Sequence, residues 1–213
     1  MVMSILTYNL EVSYNLTKSD IKRLDKVDLI LLKNALMTSS KVSRSLVPLD
    51  LGLVSVEFIL KQKRVGYLHH LLNSDDNSIV KKVFLEQHKS TITGDWTNDL
   101  KKDLKDLEID MNFEEIQSLS KAKWKELVRK RTKSACFESL VKEKQKLSKG
   151  KEIMYSKFEM QSYLRSGNPL LTDTKRKIFK LRCCDLLLEC NFPTAFSDIK
   201  CVTGCDANYD QLH

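Results

Sequence analysis

Near the end of this 213-residue chain, Cys201, Cys205 and His213 are separated by three and seven residues. Thiolate and imidazole are ordinary zinc ligands, and Gly204 inside the first loop allows the tight turn that brings two sulfurs to one tetrahedral ion. Zinc is therefore the expected cofactor, in an incomplete site. A fourth ligand would be Cys190, a water or a residue outside the 213. The alternative is an irregular tail carrying two free thiols.

The second feature with chemical meaning is a concentration of charge. The chain carries 36 Lys and Arg against 28 Asp and Glu, a net +8 and a pI of about 9.1. From Lys121 to Lys151 there are 12 basic residues and three acidic ones, Glu126, Glu138 and Glu143, whereas the remainder has 24 basic and 25 acidic. A uniformly basic protein is excluded, because the excess belongs to one stretch. Charge this one-sided exceeds the mixed surface that solubility needs, and Lys and Arg at such density supply sequence-independent affinity for phosphate backbones. The expected contact residues are Lys123, Lys125, Arg129, Lys130 and Lys133, with Lys142 and Lys146 further along. The alternative is a solvated helix face.

Other chemistry finds little support. The six glycines stand alone at 52, 66, 94, 150, 167 and 204, so no Gly-rich loop cradles a phosphate, and no His-x-Glu is followed by Pro-Cys-x-x-Cys. Asp75 and Asp76 sit in a Ser/Asn-rich turn, where such residues cap helices rather than hold metals. His69 and His70 point about 100° apart on a helix, which suits one packed and one solvated ring better than one shared ion. His88 has no Cys or His neighbour in sequence and defaults to the surface.

These residues must be positioned by helices. Gly and Pro number only six and three, too few for a turn-rich sandwich or barrel, so an all-α, irregular multi-helix bundle with a short Cys/His tail is expected. Thr17 and Asp20 resemble a capping box that opens a helix of about five turns with Ile21, Leu24, Val27, Leu31 and Ala35 on its apolar side. A shorter helix over Ile5 to Tyr14 is possible before it. Thr38 to Gly52 is expected to be a connection with room for one helical turn. Ser55 should cap a second helix with Val56, Ile59, Leu60, Tyr67, Leu68 and Leu71 inward and Lys61, Lys63 and Arg64 outward. A short helix through Val80, Val83 and Phe84 follows, then one capped by Asp95 that buries Trp96, Leu100, Leu104 and Leu107, then a capping box at Asn112 and Glu115. A last helix starts near Thr172 with Ile178, Phe179, Leu181, Leu186 and Leu187 apolar. Domain divisions are expected as 1–110, 111–190 and 191–213.

The basic stretch has its own geometry. In a helix from about Ser120, Trp124, Leu127, Val128 and Ala135 share a side, with Lys125, Arg129 and Lys133 opposite and Lys123 and Lys130 beside them. Beyond Cys136 the apolar side, now Phe137, Leu140 and Val141, turns nearly round. The reversal requires either a break near Arg131 to Ala135 or contact with two different bodies.

No apolar run approaches the ~18 residues that cross a bilayer, and the N-terminus lacks a secretory signal's pattern. An intracellular protein with reduced cysteines and no membrane partner is expected.

The order of segments resembles the C-terminal part of non-LTR retrotransposon polyproteins, from the reverse-transcriptase thumb into the helical and Cys/His region beyond it. The similar stretches are Leu16-Thr17-Lys18-Ser19-Asp20 through Leu36, Leu49-Asp50-Leu51-Gly52, Tyr67-Leu68-His69-His70-Leu71-Leu72, Gly94-Asp95-Trp96, and Cys201-Val202-Thr203-Gly204-Cys205 with His213. That family's polymerase centre carries an aromatic-Ala-Asp-Asp hairpin, which this sequence lacks, and its endonuclease would lie before Met1. Its Cys/His element would continue to another cysteine, so the chain looks like a fragment at both ends. The resemblance implies a non-catalytic piece that binds RNA or an RNA/DNA hybrid. The alternative is a helical protein-interaction module from a domesticated or decayed retroelement.

Overall fold

The computed structural model describes residues 12–13, 16–90, 94–147, 153–165, 172–183 and 185. Among them there are nine helices and no strand, so the protein is all-α. In chain order these are α1 (Lys18–Leu36), α2 (Leu46–Leu51), α3 (Val56–Leu72), α4 (Ile79–Lys89), α5 (Trp96–Asp106), α6 (Phe113–Ser118), α7 (Lys121–Gln145), α8 (Ser162–Arg165) and α9 (Thr172–Arg182). They form two compact units. One holds the residues up to Asp28 with Val54–Ser139, the other Leu29–Leu53 with those from Leu140 onward.

Local chemistry starts several helices as expected. The Thr17 hydroxyl accepts from the Asp20 amide, and the Asp20 carboxylate accepts from the Thr17 amide and hydroxyl. Asn112 and Glu115 form a full capping box at α6, and Asp95 accepts from the Asn98 amide at α5. Ser55 departs from this pattern. It is the N-cap of α3, but its side chain makes no capping bond, and the Asp25 carboxylate accepts from the Val56 amide at 2.8 Å instead.

That long-range cap explains a correction on α1. Asp25 is buried, whereas Val27 and Leu31 of the expected apolar row are 45% and 41% exposed. Leu29, Leu32 and Leu36, on a neighbouring row, pack instead against the second unit's core.

The first unit is built round α3, which packs on α4, α5 and α6. Val56, Leu60, Val65, Leu68, Leu71 and Leu72 are buried with Phe84, Leu100, Leu107, Ile116 and Trp124. Each such aliphatic or aromatic burial contributes about 1.5–3 kcal/mol. Lys61 and Arg64, expected outward, are buried too. Across from them α5 presents Asp99, Asp103 and Asp106 at helical spacing. Lys61 meets Asp106 at 2.8 Å, and Arg64 meets Asp103 at 2.6 Å and Asp99 at 3.4 Å. On α4 only Phe84 is buried, and Ile79, Val80 and Val83 are exposed.

In the second unit α2 is the centre, not a mere connection. Leu46 to Asp50 are all buried, and Gly52 ends the helix at φ 64°, where its N–H donates to the Pro48 carbonyl. A Cβ at Gly52 would lie 2.5 Å from the Glu159 backbone, so only glycine fits. Val42, Leu46, Val47, Phe179 and Cys183 form the apolar cluster. Asp50 takes hydrogen bonds from the Tyr155 hydroxyl at 2.7 Å, from the Tyr163 hydroxyl and from Arg182 at 2.9 Å. The guanidinium lies 5.3 Å from the Tyr155 ring and 5.9 Å from the Tyr163 ring.

Helix α7 is continuous over 25 residues, so no break occurs at Arg131 to Ala135. The division between units falls after Ser139, inside it. Trp124, Val128, Thr132, Cys136, Leu140 and Lys144 are buried, one every four residues. Four residues overshoot a full turn by about 40°, so five such steps carry the row about 200° round the helix. The apparent reversal of the apolar side is this drift, and two of the six positions are Thr132 and Lys144, which an apolar pattern passes over.

Candidate nucleic-acid interface

The basic residues of α7 gain a partner surface from α3. Trp124 donates from its indole N–H to the Val65 carbonyl at 3.3 Å, and the His69 ring bonds the Leu119 carbonyl at 2.9 Å through Nε2. From Leu119, just before α7, to Trp124 within it the partners on α3 fall from His69 to Val65, so the two helices run antiparallel. Beside these contacts lies a groove of about 820 Å³, walled by Gln62, Lys63, Gly66, Tyr67 and His70 on α3 and by Lys121, Lys125, Glu126, Val128 and Arg129 on α7.

The α7 wall is regular. Lys125, Arg129 and Lys133 each follow a residue of the buried row by one position, about 100° round the helix, Lys121 continues their four-residue spacing, and all four are exposed. They therefore border the packed side rather than oppose it, which brings Lys125 and Arg129 to the groove. Lys123 and Lys130 are exposed but do not line it, because they lie about 100–120° round α7 from Trp124 in the sense opposite to Lys125 and Arg129. Arg131 is drawn aside to Glu108 at 3.7 Å. Lys142 and Lys146 are exposed in the other unit.

Gly66 shapes the α3 wall. Glycine inside a helix costs about 0.5–1 kcal/mol relative to alanine. Nothing lies within 4 Å of where its Cβ would stand, so packing does not require it. Tyr67 beside it is half-buried, T-shaped to Trp96 at 6.2 Å and tilted to His70 at 5.4 Å. The groove thus offers three cations along one wall, Lys63 and an exposed imidazole on the other, one phenol ring and the Gln62 amide. These are groups that hold an anion or stack a flat ring.

No family model, curated protein or solved structure matches this chain. Its own geometry therefore carries the functional reading.

Cys201, Cys205 and His213, the expected zinc ligands, lie outside the described residues, as does Cys190. Among the described residues no group of three or more His, Cys, Asp or Glu could hold a metal, and no helix is long and apolar enough to cross a membrane. The Asp75 carboxylate accepts from the Asn77 amide at 2.7 Å and Asp76 pairs with Lys81 at 2.7 Å, which are turn roles. His69 is packed and His70 exposed. His88 is half-buried, its ring 4.7 Å from that of Phe113, and burial, then Lys101, holds its imidazole below the ordinary range.

Sequence reasoning missed the whole α3 wall and Lys121. The available signal was Gly66, an isolated glycine inside a strong helical pattern with no packing reason evident from its neighbours.

Proposed function

We propose that this chain is a non-catalytic helical module, derived from the C-terminal region of a non-LTR reverse transcriptase, that grips RNA or an RNA/DNA hybrid. The observation that carries nucleic-acid contact is the set of Lys121, Lys125 and Arg129 facing Lys63 and His70 across one groove. Cations one helical turn apart form a linear array, about 6 Å between successive Cα atoms, suited to a phosphate backbone. The resemblance of the ordered segments supports the origin, and the absence of an aromatic-Ala-Asp-Asp hairpin from the sequence supports the non-catalytic assignment.

The test is a salt titration of oligonucleotide binding by the wild-type chain and by the triple variant Lys125→Glu/Arg129→Glu/Lys133→Glu. The variant is expected to lose most of its affinity. Its log–log salt slope is expected to fall by about 0.7 for each phosphate no longer neutralised on a single strand, or about 0.9 on a duplex. Unchanged affinity and slope would defeat the proposal. The exposed Ile79, Val80 and Val83 favour a second reading, a protein-interaction module. Salt-sensitive capture of an acidic protein, with no RNA binding, would support that reading instead.

A further inference from the structure

The α7 row by itself suits any polyanion, but the α3 wall adds features that a double helix leaves unused. Gly66 exposes bare backbone at the groove although the helix would be more stable with a side chain there and the packing leaves room for one. Tyr67 adjoins that opening, and its contacts with Trp96 and His70 restrict the ring. The antiparallel packing, with Trp124 at Val65 and Leu119 at His69, sets Lys121 and Lys125 along the same stretch of groove as Gly66, Tyr67 and His70, so the cations run alongside the ring and the gap. A groove of about 820 Å³ lies in the range that encloses a small ligand, about 300–1,000 Å³. Bases in a duplex have both faces covered, whereas an unpaired base offers a face for stacking on an aromatic side chain.

We propose that the groove receives an unpaired stretch of a nucleic-acid strand. One base stacks on Tyr67 in the space left by Gly66, and the adjoining phosphates lie on Lys121, Lys125 and Arg129. Gln62 supplies a donor and an acceptor for the edge of that base. This rests on α7 as the nucleic-acid interface and narrows its ligand to a single strand.

Gly66→Leu tests it cleanly. Its Cβ meets nothing and leucine favours a helix, so the full-length variant should fold at least as stably while its side chain fills the space. The probes are oligouridylate and an RNA/DNA hybrid of equal length, read by fluorescence anisotropy at one low salt concentration. The wild type is expected to prefer oligouridylate. Gly66→Leu should lose about tenfold of that affinity, the stacking of one base, with hybrid binding and the thermal midpoint preserved. Tyr67→Leu should act in the same direction. If Gly66→Leu leaves oligouridylate binding intact, or weakens both probes equally, the single-strand proposal is overturned. The interface still stands if the Lys125/Arg129/Lys133 charge reversal abolishes binding. If neither probe binds the wild type, the interface and this inference fall together.

Discussion

Arg64 donates from Nη1 to a carboxylate oxygen of Asp103 at 2.6 Å, and the two side chains are only 4% and 5% exposed. Arg64 also donates from Nη2 to the Ser13 carbonyl at 3.0 Å, while its Nε has no partner among the described residues. Removing two charges from water costs several kcal/mol each, and their attraction offsets this only where geometry and further hydrogen bonds are good. Lys61, bonded to Glu57 and Asp106, extends the same contact between α3 and α5.

The first consequence is a pH dependence. Burial outweighs the attraction of Arg64 at Asp103 and pushes its carboxyl up to about 6. A carboxyl raised in the folded state holds more protons folded than unfolded between its ordinary value near 3.8 and about 6. Stability must therefore fall as pH climbs through that window, with the full cost present above it. Urea midpoints followed across the window should decline more steeply for the wild type than for Asp103→Asn, which has no proton to lose. Parallel curves would remove Asp103 from the titration.

Arg64→Met is the complementary change, since it strands Asp103 in the interior. Removing one partner of a buried pair costs about 3–5 kcal/mol. That loss is expected in urea unfolding above pH ~6 and should shrink in acid, where Asp103 is neutralised by a proton. A loss of the same size at both ends of the window would mean that the missing packing, not the stranded charge, is responsible.

Gly52 and Gly66 should respond in opposite directions to the same substitution. At Gly52, with φ 64° and the Glu159 backbone 2.5 Å from a Cβ, alanine is expected to cost more than ~2 kcal/mol. At Gly66, in open helical space, alanine should add about 0.5–1 kcal/mol. Thermal midpoints of the two single variants decide this, and a shift in the same direction for both would contradict the local geometry.

Asp50 is fully buried and bonded to Arg182, Tyr155 and Tyr163. Asp50→Asn is expected to destabilise the second unit by about 3 kcal/mol, because it removes the charge that balances Arg182 and turns one of the two acceptor oxygens into an NH2 donor facing other donors. Tyr163→Phe, which removes one donor, should cost only about 1 kcal/mol. Burial, and with it the Asp50 carboxylate, holds both phenols well above their ordinary range. In an alkaline absorbance titration these two tyrosines should therefore ionise only as the unit unfolds. A Tyr163→Phe loss equal to that of Asp50→Asn would place the hub's stability in packing instead.

The amino-acid sequence by itself determined that the described chain is helical, where several helices start, and that the excess charge lies in one segment. Capping by Thr17 with Asp20, by Asp95 and by Asn112 with Glu115 was legible because each acts within one turn, where neighbours in sequence are neighbours in space. Tertiary structure decided which rows are buried. Val27 and Leu31 face water while Lys61 and Arg64 do not, because Asp25 caps a helix 31 residues away and the α5 aspartates neutralise cations 39 and 45 residues before them. The same holds for the groove. Lys125 and Arg129 could be read from composition and helical period, but the second wall, with Gly66 and Tyr67, exists only once α3 and α7 pack antiparallel. Periodicity registers apolar surface along one helix, whereas the partner that makes a buried charge or an open groove favourable lies elsewhere in the chain.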